Sequence, residues 1–165
     1  MKKIMLLLFF GTVAANAQIE SKLEGITINS PCELEYIRNL GNQNNYSCPF
    51  QYGNNKLDNY SVTVANLQTE MSGFTGSSLE TYKDTFLETI KSNSESLGEK
   101  AEYVKLQNGI EAVSMISNLT YADQNLKNIA IAFLYKQKSF VVNLTTNNFE
   151  RTNDVENLIK RILLR

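Results

Sequence analysis

Along the first third of the chain apolar and polar residues alternate. Ile26 and Ile28 have polar neighbours, followed by Leu34 and Tyr36, by Tyr46, Cys48, Phe50 and Tyr52, and by Tyr60, Val62 and Val64. A repeat of two sends alternate side chains to one face of an extended chain, so the stretch from Gly25 to Leu67 predicts three antiparallel strands. Gly41-Asn42-Gln43-Asn44-Asn45 and Gly53-Asn54-Asn55 separate them with residues that tolerate the left-handed backbone of hairpin turns. The period then changes. Leu79, Tyr82, Phe86 and Ile90 recur at three and four, which predicts one apolar helix face, with Ser77 and Glu80 as a capping box and Gly98 as the stop. Glu80, Asp84 and Glu88 share a face of that helix, with Lys83 and Lys91 beside them, and read as a solvated surface.

The second half repeats the order. Tyr103, Val104 and Leu106 begin a strand, Asn108-Gly109 is a strong hairpin signal, and Ile110 to Tyr121 continues as a long strand. Ile129 to Tyr135 and Phe140 to Leu144 form a further pair, joined around Gln137-Lys138, with apolar runs continuous enough for strands covered on both faces. A final helix is expected from Asn153, with Glu156 completing a capping box and Val155, Leu158, Ile159, Ile162 and Leu163 on one side. The predicted class is α+β: an antiparallel sheet of about six strands with helices packed on its faces, in the order βββα-βββα.

The N-terminus changes where this domain begins. Lys2 and Lys3 precede the seven-residue apolar run Ile4 to Phe10, and Ala15-Asn16-Ala17 places small residues where a signal peptidase reads. A spanning helix needs about 20 apolar residues, whereas Gly11, Thr12 and Asn16 interrupt this one early. Residues 1–17 are therefore expected to be a cleaved signal peptide, with 18–165 as a single secreted or periplasmic domain and no integral membrane segment after cleavage. The whole chain has 16 basic and 17 acidic residues; losing Lys2 and Lys3 leaves 14 against 17, a net charge of −3. That balance gives no attraction for nucleic acid.

In an oxidising compartment two cysteines favour a disulfide, and Cys32 and Cys48 have fifteen residues between them. Closing that loop contributes about 3 kcal/mol on the chain-entropy estimate. A metal site is disfavoured because the chain has no histidine to complete a set of soft ligands. The same lack removes the Ser-His-Asp and Cys-His arrangements, and no glycine-rich phosphate loop or nucleophile-elbow pattern occurs. No cofactor is implied. Asp123-Gln124-Asn125-Leu126-Lys127 starts like a Ca²⁺ loop but puts a cation at its fifth position and lacks the central glycine.

One positive candidate is the aromatic strip. If residues 46–52 are extended, Tyr46, Cys48, Phe50 and Tyr52 face one way, with Tyr36 and Tyr60 on neighbouring strands. Pro49 cannot donate to a ladder, which predicts an edge or a bulge there. The strip packs under another element, as aromatic residues do in cores, or Tyr36, Tyr46, Phe50 and Tyr52 line a ligand groove beside the disulfide. Four Asn-x-Ser/Thr sequences occur, at Asn45, Asn59, Asn118 and Asn143, and are read as chance in an asparagine-rich chain.

The stretches Tyr103-Val104-Lys105-Leu106-Gln107-Asn108-Gly109 and Lys138-Ser139-Phe140-Val141-Val142-Asn143-Leu144-Thr145, with the helix after Phe149, resemble the PsbP-like α/β/α sandwich family. The Cys32/Cys48 loop and the asparagine-rich turns depart from its better-known members, and none of its metal-binding or partner-binding residues has a counterpart here. The resemblance implies a non-catalytic domain that binds a protein partner or envelope component. A carrier using the tyrosine-lined groove and a carboxylate-dependent hydrolase using Glu33, Glu35 or Glu111 are the alternatives.

Overall fold

The computed structural model describes residues 18–52, 56–121 and 123–164, with the backbone alone at 50–52 and 56. The expected signal peptide and the Gly53-Asn54-Asn55 turn lie outside the described residues. Strands dominate: β1 (Ile19–Leu23), β2 (Ile26–Ser30), β3 (Glu35–Leu40), β4 (Gln43–Tyr52) and β5 (Lys56–Asn66) lead to helices α1 (Gln68–Met71) and α2 (Ser77–Ser96). Then follow β6 (Lys100–Lys105), β7 (Glu111–Tyr121), β8 (Gln124–Tyr135), β9 (Lys138–Thr146), α3 (Asp154–Ile159) and β10 (Ile162–Leu164). The strands form two antiparallel sheets, β1-β2-β10 and β3-β4-β5-β9-β8-β7-β6.

The expected α+β sheet of about six strands in the order βββα-βββα is thus overturned. Two of the missed strands flank the chain. Glu24 and Gly25 both have positive φ, so a two-residue turn folds β1 straight back on β2. At the other end Ile162 and Leu163 continue the helical spacing of Leu158 and Ile159, yet α3 stops at Ile159. Ile162 instead pairs with Ile28 of β2, and Asn29 N–H donates to the Arg161 carbonyl at 2.9 Å. Three residues of strand with a ready partner outcompete another helical turn, an override that local spacing cannot register. The capping boxes are not formed either: Gly76 caps α2 and Asn153, in the left-handed region, caps α3, neither with a side-chain bond.

Other local signals are borne out. Gly98 (φ 78°) closes α2, with the Glu99 and Gly98 amides donating to the carbonyls of Ser94 and Glu95. The Asn108-Gly109 hairpin joins β6 to β7. Lys136 and Gln137, both left-handed, turn β8 into β9.

The small sheet and α3 cover one face of the large sheet. There Ile26, Ile28, Ile162 and Leu158 pack on Tyr60, Val62, Ile131, Phe133, Phe140 and Val142, and the Phe133 and Phe140 rings stack at 5.2 Å. Each such burial stabilises the fold by roughly 1.5–3 kcal/mol. On the other face α2 lies mainly over β6, β7 and β8, placing Leu87 against Ala101 and Val113. The burial patterns follow. In β8 Ile129 to Leu134 are all buried, as the continuous apolar run predicts, whereas β9 alternates because α2 does not reach it.

Candidate binding surface

The predicted disulfide is present: Cys32 and Cys48 are bonded, with Cα atoms 5.8 Å apart. It ties the segment entering β3 to the middle of β4. β3 pairs with β4 only as far as Ser47, so at Pro49 β4 has no strand partner on that side, and the Cys32 segment lies beside it, satisfying the edge position the proline requires.

The tyrosine strip divides. Tyr36 and Tyr46 meet edge to face at 5.8 Å, as opposite residues of β3 and β4 should. Tyr46 is partly buried, its hydroxyl donating to Glu24 Oε1 at 3.1 Å. Burial first, then the Glu24 charge, pushes that phenol above its ordinary value. Cys48 and Tyr60 turn inward to the core. The side chains of Phe50 and Tyr52 lie outside what the structure describes. Of the four expected ligand residues, therefore, Tyr36 stands clearly at the surface, and Tyr46 supports it from below.

What the sequence did not reveal is the rest of β3. None of its six residues is buried, and Tyr36, Ile37 and Leu40 are 56%, 57% and 52% exposed. A register shift between Tyr36 and Arg38 marks a bulge. Glu35 and Arg38 sit among the apolar side chains. The opposite edge has an exposed aromatic too, but Tyr103 on β6 is engaged: its hydroxyl donates to Glu88, which pushes its pKa up to about 12, and Lys91 lies 5.8 Å from its ring.

The carboxylates of the hydrolase alternative do not converge. Glu33 and Glu35 are at the β3 edge, whereas Glu111 begins β7, with four strands between, and pairs with Lys105 at 3.7 Å. Glu111 borders a cleft of about 430 Å³ under the first turns of α2, floored by Leu79, Leu87 and Leu134. Of the other acids there, Glu80 is paired with Lys83 at 2.8 Å.

Two ionic clusters brace the layers. Glu24 accepts from Asn44 at 2.7 Å, Lys138 at 2.8 Å and Tyr46, locking the β1–β2 turn to β4 and β9. Burial would raise its carboxyl, but these bonds, Lys138 foremost, outweigh it and hold the pKa below the ordinary value. At the other end Arg151 reaches Asp58 at 2.6 Å and Asp154 at 3.4 Å, and Lys127 also pairs with Asp154. Burial would lower the Arg151 guanidinium; Asp58 and the Tyr60 hydroxyl raise it well above its usual value. These partners are up to 114 positions apart, and no local pattern announces them.

Among the described residues no helix is long and apolar enough to cross a membrane. Neither a protein-family model nor a curated protein matches the chain. A solved structure from Bacteroides thetaiotaomicron VPI-5482 is similar, with a TM-score of 0.53 at 10% identity, over 86% of this chain and 45% of that one. The chain spans a little under half the length of that structure, and the likeness is one of fold alone.

Proposed function

We propose that this chain works outside the cytoplasm as a non-catalytic binding module, taking a protein partner through the side chains of β3. The observation that carries the reading is an edge strand with no buried residue and three large apolar side chains more than half exposed. Tyrosine and arginine, both present there, are the residues on which protein interfaces most often depend. Glu35, Arg38 and the bulge oppose addition of a further strand, so contact through side chains is favoured over extension of the sheet. The address rests on the N-terminal pattern and on the disulfide.

A photo-crosslinking amino acid at Ile37, compared with one at exposed Leu97 beyond α2, tests this in cells. A discrete crosslinked protein is expected from position 37 alone, and its loss on adding Tyr36→Ser and Leu40→Ser. Equal yields from the two positions, or crosslinking indifferent to those substitutions, would overturn the proposal.

A further inference from the structure

Three of the four Asn-x-Ser/Thr sequences fall side by side. In a strand the first and third residues share a face, and the register sets Asn45 and Ser47 of β4 beside Asn59, Ser61 and Thr63 of β5, and Asn143 and Thr145 of β9 beside those. Asn45 stands opposite Thr63, Ser47 opposite Ser61, and Ser61 opposite Asn143. The next row runs from Asn59 through Thr145 to Asn128 of β8. This is the face of the large sheet that α2 leaves uncovered, and every one of these residues is partly exposed.

The side chains are held in place. Thr63 donates to Asn45 Oδ1 at 2.8 Å, Ser47 to Asn59 Oδ1 at 2.9 Å and Thr145 to Asn128 Oδ1 at 2.9 Å. Each bond fixes a carboxamide through its oxygen; the Asn45 NH2 is itself buried, which leaves those of Asn59 and Asn128 as the donors these bonds do not use. Strand spacing of about 4.8 Å and a same-face repeat of about 6.7 Å make the array regular. The described positions of β4, β5 and β9 on this face carry no ionisable side chain; at the β3 rim Arg38 stands opposite Asn45 and Glu35 opposite Ser47, one charge of each sign.

We propose that this face binds a neutral, hydroxyl-rich polymer, a polysaccharide. Nucleic acid and acidic glycans need cations that the face lacks. A protein partner needs an apolar interface core, and here Leu57, Val141 and Pro49, with the buried Ala65, are scattered among polar positions. A fixed grid of amide and hydroxyl groups matches the repeated hydroxyls of a neutral sugar chain, and a rigid strand scaffold lowers the ordering cost of binding. The inference is independent of the β3 patch.

Chain 18–165 is incubated with insoluble cellulose, starch and β-1,3-glucan, and with polygalacturonate and double-stranded DNA as charged controls. Retention on at least one neutral polymer, unchanged between low and high salt, is expected. Ser61→Ala with Thr145→Val should weaken it about tenfold, the loss of one or two hydrogen bonds, while Leu97→Ser, at an exposed position beyond α2, leaves it unchanged. A polar-to-apolar swap could loosen the sheet, so the urea midpoint of each variant is measured, and Asn143→Lys, which adds a charge to the array, provides a second variant. Retention on none of the neutral polymers, retention on the charged polymers alone, or retention that both array variants leave intact while folded would each overturn the inference.

Discussion

At Arg151 a single guanidinium joins two buried carboxylates, Asp58 of β5 and Asp154 of α3. Removing the guanidinium takes an ion pair from each of two buried carboxylates, so Arg151→Met should cost about 3 kcal/mol of stability in urea unfolding; a change within error would show that water already screens the pair. Glu24 makes a pH-dependent contribution of definite sign. Its folded pKa is depressed, so the stabilisation is present above the unfolded value of about 4.3 and is lost as pH falls through the lower, folded one. Urea midpoints from neutral to acid pH should fall more steeply below that value in the native protein than in Glu24→Gln, and parallel curves would refute the assignment. Neither group was legible beforehand, because each draws partners from strands distant in sequence. The disulfide was legible, since two cysteines behind an expected export signal, in a chain without histidine, have few alternatives.

Elements with a local cause were read well. Gly98 was marked as a helix stop, and it holds the left-handed conformation that the α2 terminus requires. A Cβ there would meet nothing within 4 Å, so the cost of Gly98→Ala is purely conformational, about 1 kcal/mol. Gly73→Ala, at a position without positive φ, is the control and should be near neutral in the same chemical denaturation. Where an element depends on a partner, local reading failed. Ile162 and Leu163 fit a helix face by spacing and became β10 because β2 offered open pairing positions. The Asn-x-Ser/Thr sequences went the same way: scattered in the chain, they form an array only once β4, β5 and β9 are aligned.

Over the whole molecule, β3 is held to the rest by β4 on one side and by the disulfide at its entry, with no layer above or below. Reduction should therefore act there first. Cys32→Ser with Cys48→Ser is expected to lose about 3 kcal/mol and to speed amide exchange in β3 well before β8 or β9, as mass spectrometry can follow; uniform acceleration would mean the bond stabilises the entire sandwich equally. The aromatic strip shows the same dependence on layers. Its alternation was correct, yet Tyr60 and Cys48 are buried and Tyr36 exposed because the small sheet covers the centre of the large one and not its β3 edge. By itself the sequence determined the turns at Gly41-Asn42 and Asn108-Gly109, the long helix with its glycine stop, the cysteine pairing and the apolar patterns of β4, β5 and β8, all set by backbone preference and residues close in the chain. Only the tertiary structure decided that there are two sheets, which strands lie at the edges, where the buried charges find partners and which faces stay open, because each depends on pairing between segments that no local pattern links.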